Sequence, residues 1–173
     1  STGKVVHIST MGGAINVSEA ANGAKVHTMG GNIRVKSAKN FVKAKTMGGN
    51  ITIDAIDGWI SATTMGGNVT VAMTGNPAKG KRDVHLTSMG GDIALTVPNG
   101  LSMDIDLEIE YTKKSDKNYK IISDFDIQQE HTDEWDNSKG SPRKYIHGKG
   151  KVKDGKHKIK IKTINGNIIL KRG

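Results

Sequence analysis

Apolar and polar residues alternate along most of the chain in short runs, and the runs recur in a fixed order. Val6 and Ile8 lead into Thr10-Met11-Gly12-Gly13, which is followed by Ile15 and Val17. The same order returns as Ala24, Val26, Thr28-Met29-Gly30-Gly31, Ile33 and Val35, and again around Thr46-Met47-Gly48-Gly49 and Thr64-Met65-Gly66-Gly67. Period-two alternation in short pieces predicts β-strands with one buried face, broken by tight glycine corners. Met11, Met29, Met47 and Met65 are 18 residues apart. Ser88-Met89-Gly90-Gly91 follows after 24 residues, and Thr163-Ile164-Asn165-Gly166 after a further 75.

Each unit reads strand, corner, strand, second turn, the second turn holding residues such as Ala38-Lys39-Asn40 or Asp57-Gly58. One unit cannot bury its own apolar face, but a stack of units can. The predicted fold is therefore an all-β solenoid of about six coils in one domain, 1–173. Regular coils fill 1–100, an insertion with long strands fills 101–155, and a terminal coil closes the chain at 156–173. A meander of hairpins would also use Gly-Gly turns. It would not place the same residue types at one fixed offset in every unit. The crossover rule favours a right-handed coil, while 18 residues per coil also fits a left-handed triangular one.

The corner residues Gly12, Gly13, Gly30, Gly31, Gly48, Gly49, Gly66, Gly67, Gly90, Gly91, Asn165 and Gly166 are expected to be structural, with positive φ at one or both of each pair. They lack the strand-to-helix context and lysine of a phosphate loop. Asn32, Asn50, Asn68, Asp92 and Asn167 follow the corners directly and are expected to form a side-chain ladder. The methionine column is expected to fill the corners with flexible thioethers rather than to bind a soft metal.

Two segments leave the repeat. Residues 75–80 predict a loop on one side of the stack. In 101–111, Leu101, Met103, Ile105, Leu107, Ile109 and Tyr111 share one face, while Asp104, Asp106, Glu108 and Glu110 share the other. A second alternation, Tyr119, Ile121, Ser123, Phe125 and Ile127, is expected to pair with the first as a hairpin through 113–118. The polar stretch 128–142 reads as an exposed loop. Residues 101–136 hold four basic and eleven acidic side chains, against twelve and one in 137–173. The acidic strand is expected to lie beside the lysines of 149–162.

The repeated Thr-Met-Gly-Gly-Asn-Ile corners, the entry Val97-Pro98-Asn99-Gly100-Leu101-Ser102-Met103-Asp104 into a long strand, and the closing Thr163-Ile164-Asn165-Gly166-Asn167-Ile168 together resemble the bacterial adhesin-like domains of unknown function. The resemblance covers most of the chain and is least at 112–155. Met-Gly-Gly stands here where Asn-Gly is commoner in that family. The resemblance implies a single-stranded β-helix that is exported or attached to a bacterial envelope, at the cell surface or in the periplasm. It carries no catalytic residue over.

Composition narrows the chemistry. The 173 residues include 22 glycines, no cysteine and 26 basic against 17 acidic side chains, a net charge of +9. Disulfides, thiolate metal sites and cysteine nucleophiles are excluded. No apolar run approaches the ~20 residues of a membrane-spanning helix. The opening Ser1-Thr2-Gly3 reads as a trimmed or processed start.

No catalytic set, metal site or cofactor motif emerges. The histidines lie in polar columns or are scattered through the insertion, and read as solvated. Asp133-Glu134-Trp135-Asp136-Asn137 lacks the spacing of a calcium loop. The strongest candidate is the alternating set Lys149, Lys151, Lys153, Lys156, Lys158, Lys160 and Lys162. Strand geometry spaces such lysines about 6.5–7 Å apart, which suits a polyanion. The same lysines could instead pair with the acidic strand or guard a sheet edge. Without interleaved aromatics or a helix, nucleic acid is disfavoured. The expected role is a non-catalytic structural or adhesive protein binding an anionic polysaccharide, another envelope polymer or a protein. The alternative is a glycan-processing β-helix with acids gathered in a groove between 75–82 and 128–142.

Overall fold

In this computed structural model residues 3–115 and 118–173 are described, so the readings of Ser1-Thr2 and of Asp116-Lys117 lie outside the described residues. The chain is all-β. Its strands are β1 (Val6–Thr10), β2 (Ile15–Val17), β3 (Ala24–Thr28), β4 (Ile33–Val35), β5 (Ala38–Thr46), β6 (Ile51–Thr64), β7 (Val69–Met73), β8 (Val84–Ser88), β9 (Ile93–Val97), β10 (Met103–Thr112), β11 (Ile121–Ser123), β12 (Gln128–His131), β13 (Arg143–Val152), β14 (His157–Ile164) and β15 (Ile168–Arg172). Among the described residues the only helical piece is a 3₁₀ turn at Lys113–Ser115.

All the strands belong to one mixed sheet that curls at β6, whose first residues pair with β4 and β7 and whose last pair with β5 and β8. Two ladders result. The first runs β1-β3-β5-β6-β8-β14-β10-β13-β12 and is parallel as far as β10. The second, β2-β4-β6-β7-β9-β15-β11, is parallel throughout. Register follows the sequence repeat. Val6 lies beside Ala24, then come Val42, Ile60, Val84 and Ile159. The pairing is parallel between tiers, so hairpins do not build the regular part.

The aliphatic columns point inward and form one core, with Ile33, Val35, Val42, Ile51, Ile60, Leu86, Ile93, Leu95, Ile159 and Leu170 all essentially inaccessible. Burying each such side chain stabilises the fold by roughly 1.5–3 kcal/mol.

The corners work differently from expectation. None of the Gly-Gly residues has positive φ; left-handed glycines occur elsewhere, as at Gly23 and Gly75. Asn165, in the first-glycine position of the last corner, does take φ 56°. What demands glycine is the closeness of the tiers. A Cβ on Gly31, Gly49, Gly67, Gly91 or Gly166 would lie within 3.0 Å of the carbonyl of the equivalent glycine one tier away. A Cβ on Gly30 or Gly48 would meet nothing nearer than 4.0 Å.

After the first corner, the hydroxyl residue of each corner is a buried bridge. Oγ1 of Thr28, Thr46 and Thr64, and Oγ of Ser88, donate to the glycine carbonyl of the adjacent tier at 2.7–2.9 Å. The same oxygens accept the N–H of their own second glycine at 3.0–3.3 Å. Ser88 replaces threonine without loss because only the hydroxyl is used. The expected asparagine ladder exists, but it bonds side chain to backbone. Oδ1 of Asn32, Asn50, Asn68 and Asp92 accepts the N–H of the following member at 2.7–2.8 Å. Asn167 continues it to the N–H of Lys120. The corner methionines lie outside the core, unlike Met73 and Met103. Met11, on the terminal tier, is 78% exposed, while Met29, Met47, Met65 and Met89 are 39–46% exposed because their neighbours cover them.

Further expectations are corrected. Strand β10 does not form a hairpin with 119–127. It pairs antiparallel with β13 on one side and parallel with β14 on the other, while β11 pairs with β15. Its alternation also breaks at Glu110, which is 1% exposed rather than outward. The segment 156–173 is not the end of the stack: β14 and β15 lie between β8 and β9 on one side and β10 and β11 on the other. Residues 38–40 and 57–58 fall within strands β5 and β6, not in turns. In 128–142, β12 forms a fully exposed edge strand.

Gly49→Ala should lower stability by about 1–3 kcal/mol or more, whereas Gly48→Ala should cost under about 1 kcal/mol; paired denaturant melts check the contrast. Removal of 156–173 should unfold 103–152 as well, because it strips β10 and β11 of their parallel partners. Amide exchange would read this as lost protection across β10.

Candidate functional site

On the outer side of the first ladder, parallel register brings the same positions of successive tiers side by side, about 4.8 Å apart. One such row is His7, Lys25, Lys43, Ser61, His85, Lys160, Asp106, Lys149 and Gln128. The next is Ser9, His27, Lys45, Thr63, Thr87, Lys162, Glu108, His147 and Glu130. A third places Phe41 beside Trp59, and further along Lys158 beside Asp104 and Lys151.

These rows divide the lysine set read from the sequence. Strand β10 lies between β13 and β14, so Asp104 separates Lys158 from Lys151, and Asp106 separates Lys160 from Lys149. Lys162 pairs with Glu108 at 3.1 Å and with Glu110 at 3.7 Å. Lys153 takes φ 55° in the turn after β13, and the N–H of Lys156 donates to Ser102 Oγ. Lys149, Lys151 and Lys162 therefore belong to a region of alternating charge, as the acidic strand beside the lysines predicts. Lys158 and Lys160 lie at its border.

Beyond that border the face is basic. Lys25, Lys43 and Lys45 are exposed on β3 and β5, with His7, His27 and His85 in the same rows. Among the described residues, Lys25, Lys43, Lys45, Lys158 and Lys160 form no ion pair within 4.0 Å. Lys25 lies directly beside Lys43. Like charges side by side on a sheet are destabilising. The repeat offset of 18 residues already places Lys25 and Lys43 in one outward column with His7, Ser61 and His85, a column that reads from sequence as solvated surface and not as a site.

The face also carries aromatics. Phe41 and Trp59 stack with centroids 5.1 Å apart and planes at 17°. Lys43 Nζ lies 5.9 Å and Lys81 Nζ 5.3 Å from the Trp59 ring centre. Lys81 is held there by its neighbour. Arg82 is 1% exposed, and its guanidinium donates to the carbonyls of Thr74 and Lys79 and to the Asp57 carboxylate. The Arg82 N–H donates to Nδ1 of His157, and the Lys158 N–H donates to Asp83 Oδ1. The loop 75–80 is thus tied to Asp57 of β6 by a buried cation that the sequence reading did not single out, and the Arg82 backbone N–H joins it to His157 of β14.

The remaining charges are structural. Glu110 accepts from Arg143 at 2.6 Å, with Lys139 at 3.6 Å. Burial raises its pKa, but the Arg143 hydrogen bond and the Arg143, Lys139 and Lys162 charges outweigh burial and hold it below the usual carboxylate range. His157, expected at the surface, is 4% exposed. Burial pushes its pKa down, aided by Lys156 and Arg82 and opposed by Asp83. Asp57 is committed to Arg82 and Asp54 to Arg34. Among the described residues no three His, Asp or Glu side chains converge as metal ligands.

Stability should fall with acid in two steps. Below about pH 6.5 the unfolded chain protonates His157 while the buried imidazole resists, because protonating Nδ1 would break its bond from Arg82. Below about pH 4.3 the unfolded chain protonates Glu110 while its folded, lowered pKa still holds it ionised, and its contribution disappears as pH passes the folded value. In melts at stepped pH, His157→Asn should flatten the first step and Glu110→Gln the second.

No family model matches this chain, and neither a curated protein nor a solved structure matches it.

Proposed function

We propose that the repeated tiers form a β-solenoid of the single-stranded β-helix kind, and that its basic sheet face binds an anionic polymer without catalysis. The observation that carries this is the contrast within one face. Charges alternate in sign from β14 through β10 to β13, yet the rows across β3 and β5 set Lys25 beside Lys43, with Lys45 in the next row, and hold no carboxylate as far as β8. A face that repels itself gains when a polyanion supplies the missing charge. The rows repeat along the stack at about 4.8 Å, which suits an extended polymer better than a single small ion.

The resemblance of the corners and the closing Thr163-Ile164-Asn165-Gly166-Asn167-Ile168 to bacterial adhesin-like domains supports a place at the cell envelope, exported to the surface or periplasm. An acidic envelope polysaccharide is the ligand class that fits both the charge and that setting. The glycan-processing alternative gains no support from the carboxylates. Asp57 is bound to Arg82, Asp136 accepts from Ser138 and Tyr145, and Glu110 is closed off by Arg143.

Binding to an acidic polysaccharide across a salt series tests the reading. The double substitution Lys25→Gln with Lys43→Gln should weaken binding by about tenfold and flatten its salt dependence. Lys149→Gln with Lys151→Gln, beside Asp104 and Asp106, should change it by less than about threefold. Equal effects from the two pairs would move the site off this face.

A further inference from the structure

We propose that the hollow around Trp59 is a subsite for one acidic sugar residue of that polymer, with the sugar ring against the indole and its anionic group held by lysines. This deepens the polyanion reading and rests on it. The hollow has a volume of about 420 Å³ and is lined by Lys43, Trp59, Lys81, His85, Lys158 and Lys160. Ligand pockets begin at about 300 Å³, so the space suits a sugar ring and its substituent, more than a bare anion needs.

Three features point to a sugar. First, Phe41 stacks on one side of the indole, and the cations over the ring are the side chains of Lys43 and Lys81, the latter 65% exposed and within 3.9 Å of Asp83. An aromatic face beside hydrogen-bonding groups is suited to the apolar face of a sugar. Second, the lysines come from separate tiers and meet here. Lys43 is on β5, Lys81 precedes β8, and Lys158 and Lys160 are on β14. The hollow's carboxylate, Asp83, is already engaged with the Lys158 N–H and lies 3.9 Å from Lys81. Third, the indole is fixed in place by Phe41, which packs over Gly23, where any Cβ would strike the Phe41 ring. The aromatic pair does not recur along the rows, so successive nucleic-acid bases find no run of platforms.

Trp59 itself is the reporter. In a Trp135→Phe background, fluorescence is titrated with an oligogalacturonate, with inorganic polyphosphate of matched charge, with a single-stranded RNA and with neutral dextran. The oligogalacturonate should give a saturable change in Trp59 emission, and polyphosphate should bind the face with no comparable change. Trp59→Leu should weaken oligogalacturonate binding about tenfold, followed by calorimetry, and leave polyphosphate binding unaltered. A melt shows that this variant is folded, and Phe41→Leu, which frees the indole without deleting it, should give a smaller loss. If Trp59→Leu weakens both polyanions equally, or RNA binds more tightly than the oligogalacturonate, the sugar subsite is wrong while the basic face stands. If no polyanion binds, both readings fall.

Discussion

The close approach of one tier's backbone to the next, at the Gly-Gly corners, is the constraint on which the structure depends. At every corner after the first, the second glycine lies so near the carbonyl of the tier beside it that no side chain fits. The threonine hydroxyl uses that closeness, donating to the carbonyl and accepting from the glycine N–H. Each such hydrogen bond contributes about 1 kcal/mol net, and leaving the buried groups unpaired would cost more. The asparagine ladder does the same on the outer side. Corners locked in this way set the register, and register sends every second strand residue into the aliphatic core.

The same register governs the surface. In a parallel stack, any side chain repeated in sequence is repeated in space at the strand spacing. Lysines at the unit's polar positions therefore line up across β3 and β5, until Ser61 and Thr63 end the rows on β6. Strand β10 instead places Asp104, Asp106 and Glu108 between two basic strands and neutralises them. The uncompensated lysines of β5 are left beside Trp59, where the loop anchored by Arg82 adds Lys81. Binding chemistry on this molecule follows from where the acidic strand stops.

The path of the chain adds a further asymmetry. Strands β10 and β11 precede β14 and β15 in sequence but lie outside them in the stack. The slot between β8 and β10 is filled by a strand from the far end of the chain, so the outermost parallel strands depend on the last ones. Strands β13 and β12 then complete the edge with antiparallel pairing, and β12 presents Gln128, Gln129, Glu130 and His131 to solvent. A short polar edge discourages further strand addition.

The sequence by itself determined the strands, the inward columns and the tier-to-tier register, because a fixed offset between identical residues is a local pattern that stacking preserves. It also placed the acidic strand beside lysines, since the opposite charges of 101–111 and 149–162 are visible in one dimension. Only the tertiary structure decided why the corners need glycine, because the obstacle is a carbonyl from another tier and not the residue's own φ. It likewise decided that 156–173 fills an interior slot, that Glu110 and Arg82 are buried, and that Lys43, Lys81, Lys158 and Lys160 converge with Trp59. Those residues come from separate stretches of the chain, and nothing local to any of them encodes the neighbours that the curl of the sheet supplies.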